Sequence, residues 1–118
     1  MLFRSHAAIG ESNGTTAYNN IIATNTDSTG FYNIVRSAAA VSSLYKNNTL
    51  LGTNTNNFSS TFANQTLYLG ARNYNGSANL YDGRQVCLST IGDGLTDTEA
   101  SALYTSVQNY QTSMQRQV

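Results

Sequence analysis

The segment that most restricts the fold is Leu95-Thr96-Asp97-Thr98-Glu99, because it writes the start of a helix in several independent ways. Thr96 is a good N-cap, and Glu99, three residues later, can reach back to the cap's backbone N–H to complete a reciprocal capping box. Asp97 adds negative charge at the positive end of the helix dipole. Beyond it, Ala100, Leu103, Tyr104, Val107, Tyr110 and Met114 recur at helical spacing and form one apolar stripe. The spacing predicts a helix over 97–113 with that stripe on a sheet, and Gly92 and Gly94 fit a tight turn leading into it.

Upstream, short apolar or alternating runs are separated by Asn, Ser, Thr and Gly clusters, the pattern of strands and tight turns. Strands are predicted over 17–24, 30–36, 41–46, 49–53, 67–73 and 84–91. In Phe31-Tyr32-Asn33-Ile34-Val35-Arg36, alternation puts Phe31, Asn33 and Val35 on one side and Tyr32, Ile34 and Arg36 on the other. Asn47-Asn48 sits between two such runs and predicts a two-residue hairpin, since Asn tolerates the positive φ this turn requires. Asn75-Gly76 predicts a second hairpin by the same logic. Residues 53–64 hold only Phe58 and Phe62 as large apolar side chains and read as a long loop.

Composition narrows the partners. The 118 residues contain 15 Asn, 15 Thr and 13 Ser, whereas charged residues are 10% and the net charge is zero, so the surface is hydrogen-bonding rather than ionic. With 40% hydrophobic residues, 8 Tyr and no proline, a folded β-rich protein is favoured over a disordered chain. The six basic residues are scattered, which argues against nucleic-acid binding. No run approaches the ~18 apolar residues that cross a bilayer, so a membrane partner is not expected either. Cys87 lacks a disulfide partner and, within an alternating apolar run, is expected to be a buried small hydrophobe.

Few residues carry chemistry. The carboxylates are Glu11, Asp27, Asp82, Asp93, Asp97 and Glu99. No predicted strand holds the paired acids a glycosidase places across its cleft, and Asp97 and Glu99 serve a helix start. His6 has no companion at a metal-ligand spacing. Asp93 and Asp97 offer two oxygens to calcium where a calcium loop needs a longer series, so no cofactor is expected and calcium is the metal the residues come nearest to holding. Matches to the glycosylation sequon at Asn13, Asn47, Asn57, Asn64 and Asn75 are what chance supplies in a chain this rich in Asn, Ser and Thr. Tyr18, Tyr32, Tyr45, Tyr68, Tyr74 and Tyr81 are read first as half-buried strand packing, although Tyr faces and Asn amides are also what stacks on and bonds to a sugar. The candidate ligand-binding set is Tyr45, Arg72, Asn73, Tyr74 and Asn75.

The succession Phe31 to Arg36, Leu44-Tyr45-Lys46-Asn47, Leu67-Tyr68-Leu69-Gly70-Ala71-Arg72, Tyr81-Asp82-Gly83-Arg84 and Leu95 to Glu99 resembles the C-terminal half of concanavalin A-like lectin/glucanase domains of the laminin-G-like type. Two departures stand out: Asn48 replaces the usual turn glycine, and the acidic strand motif of the glucanases is missing. The resemblance implies an all-β fold, an antiparallel β-sandwich of jelly-roll type that is incomplete here, with one C-terminal helix packed on it. It covers 17–118 as a single domain and leaves 1–16 as a disordered or truncated N-terminus, the chain being part of a longer protein. The C-terminus, from Ile91-Gly92-Asp93-Gly94-Leu95 to Arg116-Gln117-Val118, is also similar to the ends of bacteriophage tail and other virion structural proteins. What these resemblances imply is a non-enzymatic structural or receptor- and carbohydrate-binding module of a phage virion, at a virion or extracellular location. Its partners would be a glycan or other virion proteins, or further copies of itself. The alternative is a secreted bacterial carbohydrate-binding domain of an adhesin or glycoside hydrolase.

Overall fold

The computed structural model describes residues 5–11, 19–27, 29–38, 40–56, 66–74, 76–83 and 86–116. Among the described residues, seven strands and one helix follow in the order β1 (Ser5–Glu11), β2 (Asn19–Asn25), β3 (Tyr32–Ala38), β4 (Val41–Lys46), β5 (Thr49–Asn54), β6 (Arg72–Tyr74), β7 (Ser77–Asn79) and α1 (Asp97–Ser113). Two compact units result, one from Met1–Ser60 with Gly94–Val118 and the other from Thr61–Asp93.

In the first unit, β3, β4 and β5 form an antiparallel sheet in that order, and β1 pairs with β2 in a separate antiparallel ladder. The predicted β-rich architecture with one C-terminal helix is present, and the helix has the predicted bounds. Strand β1 lies where the sequence predicts no element, and Ala17 and Tyr18, the predicted start of β2, lie outside the described residues.

Asn47 and Asn48 turn β4 into β5 with φ of 46° and 65°, the two positive values a two-residue type I′ hairpin requires. Asn47 does more than turn. Its Oδ1 accepts from the Phe31 N–H at 2.8 Å, and its own N–H donates to the Phe31 carbonyl at 3.0 Å, so the turn also anchors the start of β3.

The register Tyr32↔Lys46, Ile34↔Leu44 and Arg36↔Ser42 puts those pairs on one face of the sheet, and Asn33↔Tyr45 and Val35↔Ser43 on the other. Leu44 is fully buried on the first face, opposite Gly52, above which Ile21 of β2 packs. On the second face Val35, Tyr45 and Ala100 of α1 form the core, with Leu95 against it. Phe31 meets the Tyr104 ring at a centroid distance of 6.4 Å, so the predicted alternation of Phe31 and Val35 toward one side is what the helix uses.

The helical stripe is seated over part of its length. Ala100 and Val107 are buried and Leu103 and Tyr104 half-buried, but Tyr110 and Met114 are exposed. Because Val35 meets Ala100 and Phe31 meets Tyr104, α1 runs back along β3, and its last turns pass the start of that strand.

The second unit departs from expectation. The predicted strand 67–73 is confined to Arg72–Tyr74, because Gly70 takes a left-handed φ of 71° that breaks the extended run. Leu67 and Leu69 are consequently exposed. The hairpin at Asn75-Gly76 does form, as the register Tyr74↔Ser77 shows, with Asn75 itself outside the described residues. Within the predicted strand 84–91, residues 84 and 85 are outside the described set and 86–91 form no strand. Cys87 is therefore exposed, not buried: alternation buries a side chain only where a strand pairs and a layer covers it. Of the predicted loop 53–64, Thr53 and Asn54 belong to β5, while 57–64, with Phe58 and Phe62, lie outside the described residues.

Two substitutions test these contacts. A Cβ on Gly94 would stand 2.0 Å from the Arg36 carbonyl oxygen, so Gly94→Ala forces backbone to move. A loss of about 2 to 3 kcal/mol is expected, read as a lower denaturation midpoint at unchanged m. Asn48→Gly leaves stability nearly unchanged, whereas Asn47→Ala removes the bond to Phe31 and the side chain that makes positive φ tolerable, costing about 2 kcal/mol in the same assay.

Candidate functional site

The capping box is complete, and it occupies Glu99. Glu99 N–H donates to Thr96 Oγ1 at 3.3 Å, and Thr96 N–H and Oγ1 each donate to Glu99 Oε2 at 2.8 Å. The bond from the Thr96 backbone, then that from its hydroxyl, holds the Glu99 carboxyl below its ordinary pKa. The cap's contribution is thus present at neutral pH and lost as pH falls through the carboxylate range. Asp97 is held differently: its Oδ1 accepts from the Tyr45 hydroxyl at 2.5 Å, joining sheet to helix across 52 residues of sequence.

That bond decides what Tyr45 can do. The ring is buried in the core, and its hydroxyl is bound to Asp97. The bond to Asp97, and then burial, raises the Tyr45 pKa above its usual value near 10. Of the other predicted ligand residues, Asn73 serves the β6–β7 turn: its Oδ1 accepts from Gly76 N–H at 2.8 Å and its Nδ2 donates to the Thr66 carbonyl at 2.5 Å. Arg72 and Tyr74 are placed by their backbone in β6, and Asn75 lies outside the described residues. The five residues are thus divided: Tyr45 belongs to the first unit and 72–75 to the second. Among the described residues there is no group of three His, Cys, Asp or Glu placed to hold a metal ion.

Within the second unit, a shallow groove of about 400 Å³ has Leu69, Val86 and Leu88 as its apolar walls and Asp82, Cys87 and Ser89 as its polar ones. A backbone bond from Asp82 N–H to the Gly70 carbonyl, 2.7 Å, joins its two sides. In the same unit Tyr81 is 77% exposed and its hydroxyl donates to the Ala78 carbonyl at 3.1 Å, so the ring is displayed with its edge tied down. Leu67, Leu80 and Ile91 are also largely exposed.

A second organised cluster lies in the first unit. Lys46 at the end of β4 donates to Asn25 Oδ1 at 2.9 Å and to the Asp27 main-chain carbonyl, and its Nζ stands 3.9 Å from Asp27 Oδ2 and 5.6 Å from the centre of the Tyr32 ring. Asn25 Nδ2 donates to Tyr32 Oη at 2.5 Å, and Tyr32 Oη donates to the Asp27 carbonyl at 3.2 Å. The Asp27 carboxyl is held below its ordinary pKa mainly by the Thr29 backbone N–H. The cluster is not legible in the sequence because its members are 2 to 21 residues apart with no motif spacing. The Asn47-Asn48 turn pairs Lys46 with Thr49, whereas the pairing of Lys46 with Tyr32 belongs to the β3–β4 ladder, for which the sequence carries no local signal.

No protein-family model, curated protein or solved structure matches the chain.

Tyr45→Phe measures the dock. Asp97 is exposed and regains water, so the loss expected is about 1 kcal/mol. Because the folded state raises the Tyr45 pKa, its contribution is full below pH ~10 and lost as pH rises through the folded value. Alkaline unfolding curves of the Phe variant should show a correspondingly smaller loss.

Proposed function

We propose that this chain is a non-enzymatic module of a bacteriophage virion, structural or receptor-binding, built on part of a concanavalin A-like sandwich. The observation that carries the reading is the surface of the second unit, where Leu67, Leu69, Leu80, Tyr81, Val86 and Ile91 are all more than half exposed within 25 residues of sequence. Exposed apolar side chains at this density belong to binding and assembly surfaces rather than to a freely solvated one. The roles of Asp97 and Glu99 support the same view, since the two acids nearest each other in sequence are bound to Tyr45 and Thr96 rather than facing a cleft. The three-stranded sheet with the β1–β2 ladder against one face is compatible with an incomplete jelly roll, and the tie of α1 to the other face with its C-terminal helix.

One observation favours the second reading, a secreted carbohydrate-binding domain of an adhesin or glycoside hydrolase. The tethered, exposed Tyr81 ring is the kind of face on which a sugar stacks.

A glycan array combined with light scattering after size exclusion separates the two. The virion reading expects stable oligomers without glycan specificity, and substitution of Leu80 and Ile91 by Asp should dissociate them. The carbohydrate reading expects specific glycan binding that Tyr81→Ala weakens about fivefold or more, one stacking contact being worth about 1 kcal/mol. A monomer that binds no glycan would overturn both.

A further inference from the structure

We propose that Lys46 and Asn25 form an intramolecular isopeptide bond, a covalent tie between β4 and β2. These strands belong to different hydrogen-bonded ladders. The reacting groups are brought together and shielded: the Lys46 side chain is 15% exposed and Asn25 9%. Lys46 Nζ stands 2.9 Å from Asn25 Oδ1, and a C=O bond of about 1.2 Å puts the amide carbon within about 4.1 Å of the nitrogen. Groups held this close react as though at very high concentration, which compensates for the low reactivity of an amide.

Each partner in the cluster has a place in the step. The ammonium first loses a proton to water, which alkaline pH favours, and leaves a neutral amine, while the Asp27 carboxylate 3.9 Å from Nζ helps hold the nitrogen in place. That amine attacks Cγ of Asn25, forming the new C–N bond while the carbonyl oxygen takes the charge. The bond from Cγ to Nδ2 then breaks. A second proton passes from Nζ to the departing Nδ2, which the Tyr32 hydroxyl contacts at 2.5 Å, and ammonia leaves. The ammonia takes up a proton in water and leaves as ammonium. Lysine ammonium plus asparagine amide thus gives one secondary amide plus ammonium, without oxidant, metal or cofactor.

The test is the intact mass of the purified full chain, followed by tryptic mapping. The expected result is a mass lower by one ammonia, no cleavage after Lys46, and a branched peptide joining Ser5–Arg36 to Ser37–Arg72. Lys46→Arg keeps the charge and the donors but cannot form the bond, so the full sequence mass should return. Cyclisation at Asn13-Gly14 or Asn75-Gly76 also releases ammonia, and a loss that persists in Lys46→Arg would overturn the proposal. So would a wild-type chain that keeps its full mass after prolonged incubation at alkaline pH, which favours neutral amines.

Discussion

Strand β4 has no face left for water, and the first unit is organised around that fact. Leu44 and Tyr45 are adjacent, so they point to opposite sides of the sheet, and both are buried. A sheet with one wet face would leave one of them exposed; here each side needs its own cover. Ile21 of β2 helps supply one above Gly52, and Ala100 with Leu95 supplies the other. The flanking strands are consistent with this: among the described residues, β3 and β5 each pair only with β4, and both carry more exposed positions.

The parts of this arrangement legible in the sequence were those with local causes. The capping box needs only Thr96 and Glu99, and the hairpin needs only two residues that accept positive φ, so both could be read from neighbouring letters. The facing of Phe31 and Val35 followed from strand parity. What failed depended on remote partners. Leu67 to Asn73 and Arg84 to Ile91 alternate well enough, yet Gly70 turns left-handed, residues 86–91 pair with nothing as a strand, and Cys87 stays in the open. Alternation describes a strand's two sides but supplies neither the neighbour nor the covering layer.

The candidate sites divide in the same way. Tyr45 was read as a ring that could meet a ligand, whereas its burial and its bond to Asp97, 52 residues away, make it the latch between sheet and helix. Asn73 was read as a sugar-bonding amide, and both ends of that amide bond backbone groups of its own unit. Asn-rich surfaces invite this ambiguity, since one amide can close a turn or hold a ligand and composition does not separate the two. The Asn25–Lys46 cluster shows the converse. Lys46 and Asn25 look like ordinary solvated polar residues in the sequence, yet the two side chains are largely covered and in contact in the fold.

The helix is held unevenly along its length. Gly94 lies against the Arg36 backbone, Leu95 touches the core, Thr96 and Glu99 close the cap, Asp97 binds Tyr45 and Ala100 is buried, all within seven residues. The far end has no buried residue after Val107 and no basic side chain in its last turn to oppose the dipole. Opening free energies follow such differences in support. Amide protons near Leu103 should therefore exchange only with large-scale opening, while those from about Asn109 onward escape by fraying, which makes α1 a hinged arm fixed at its first turn.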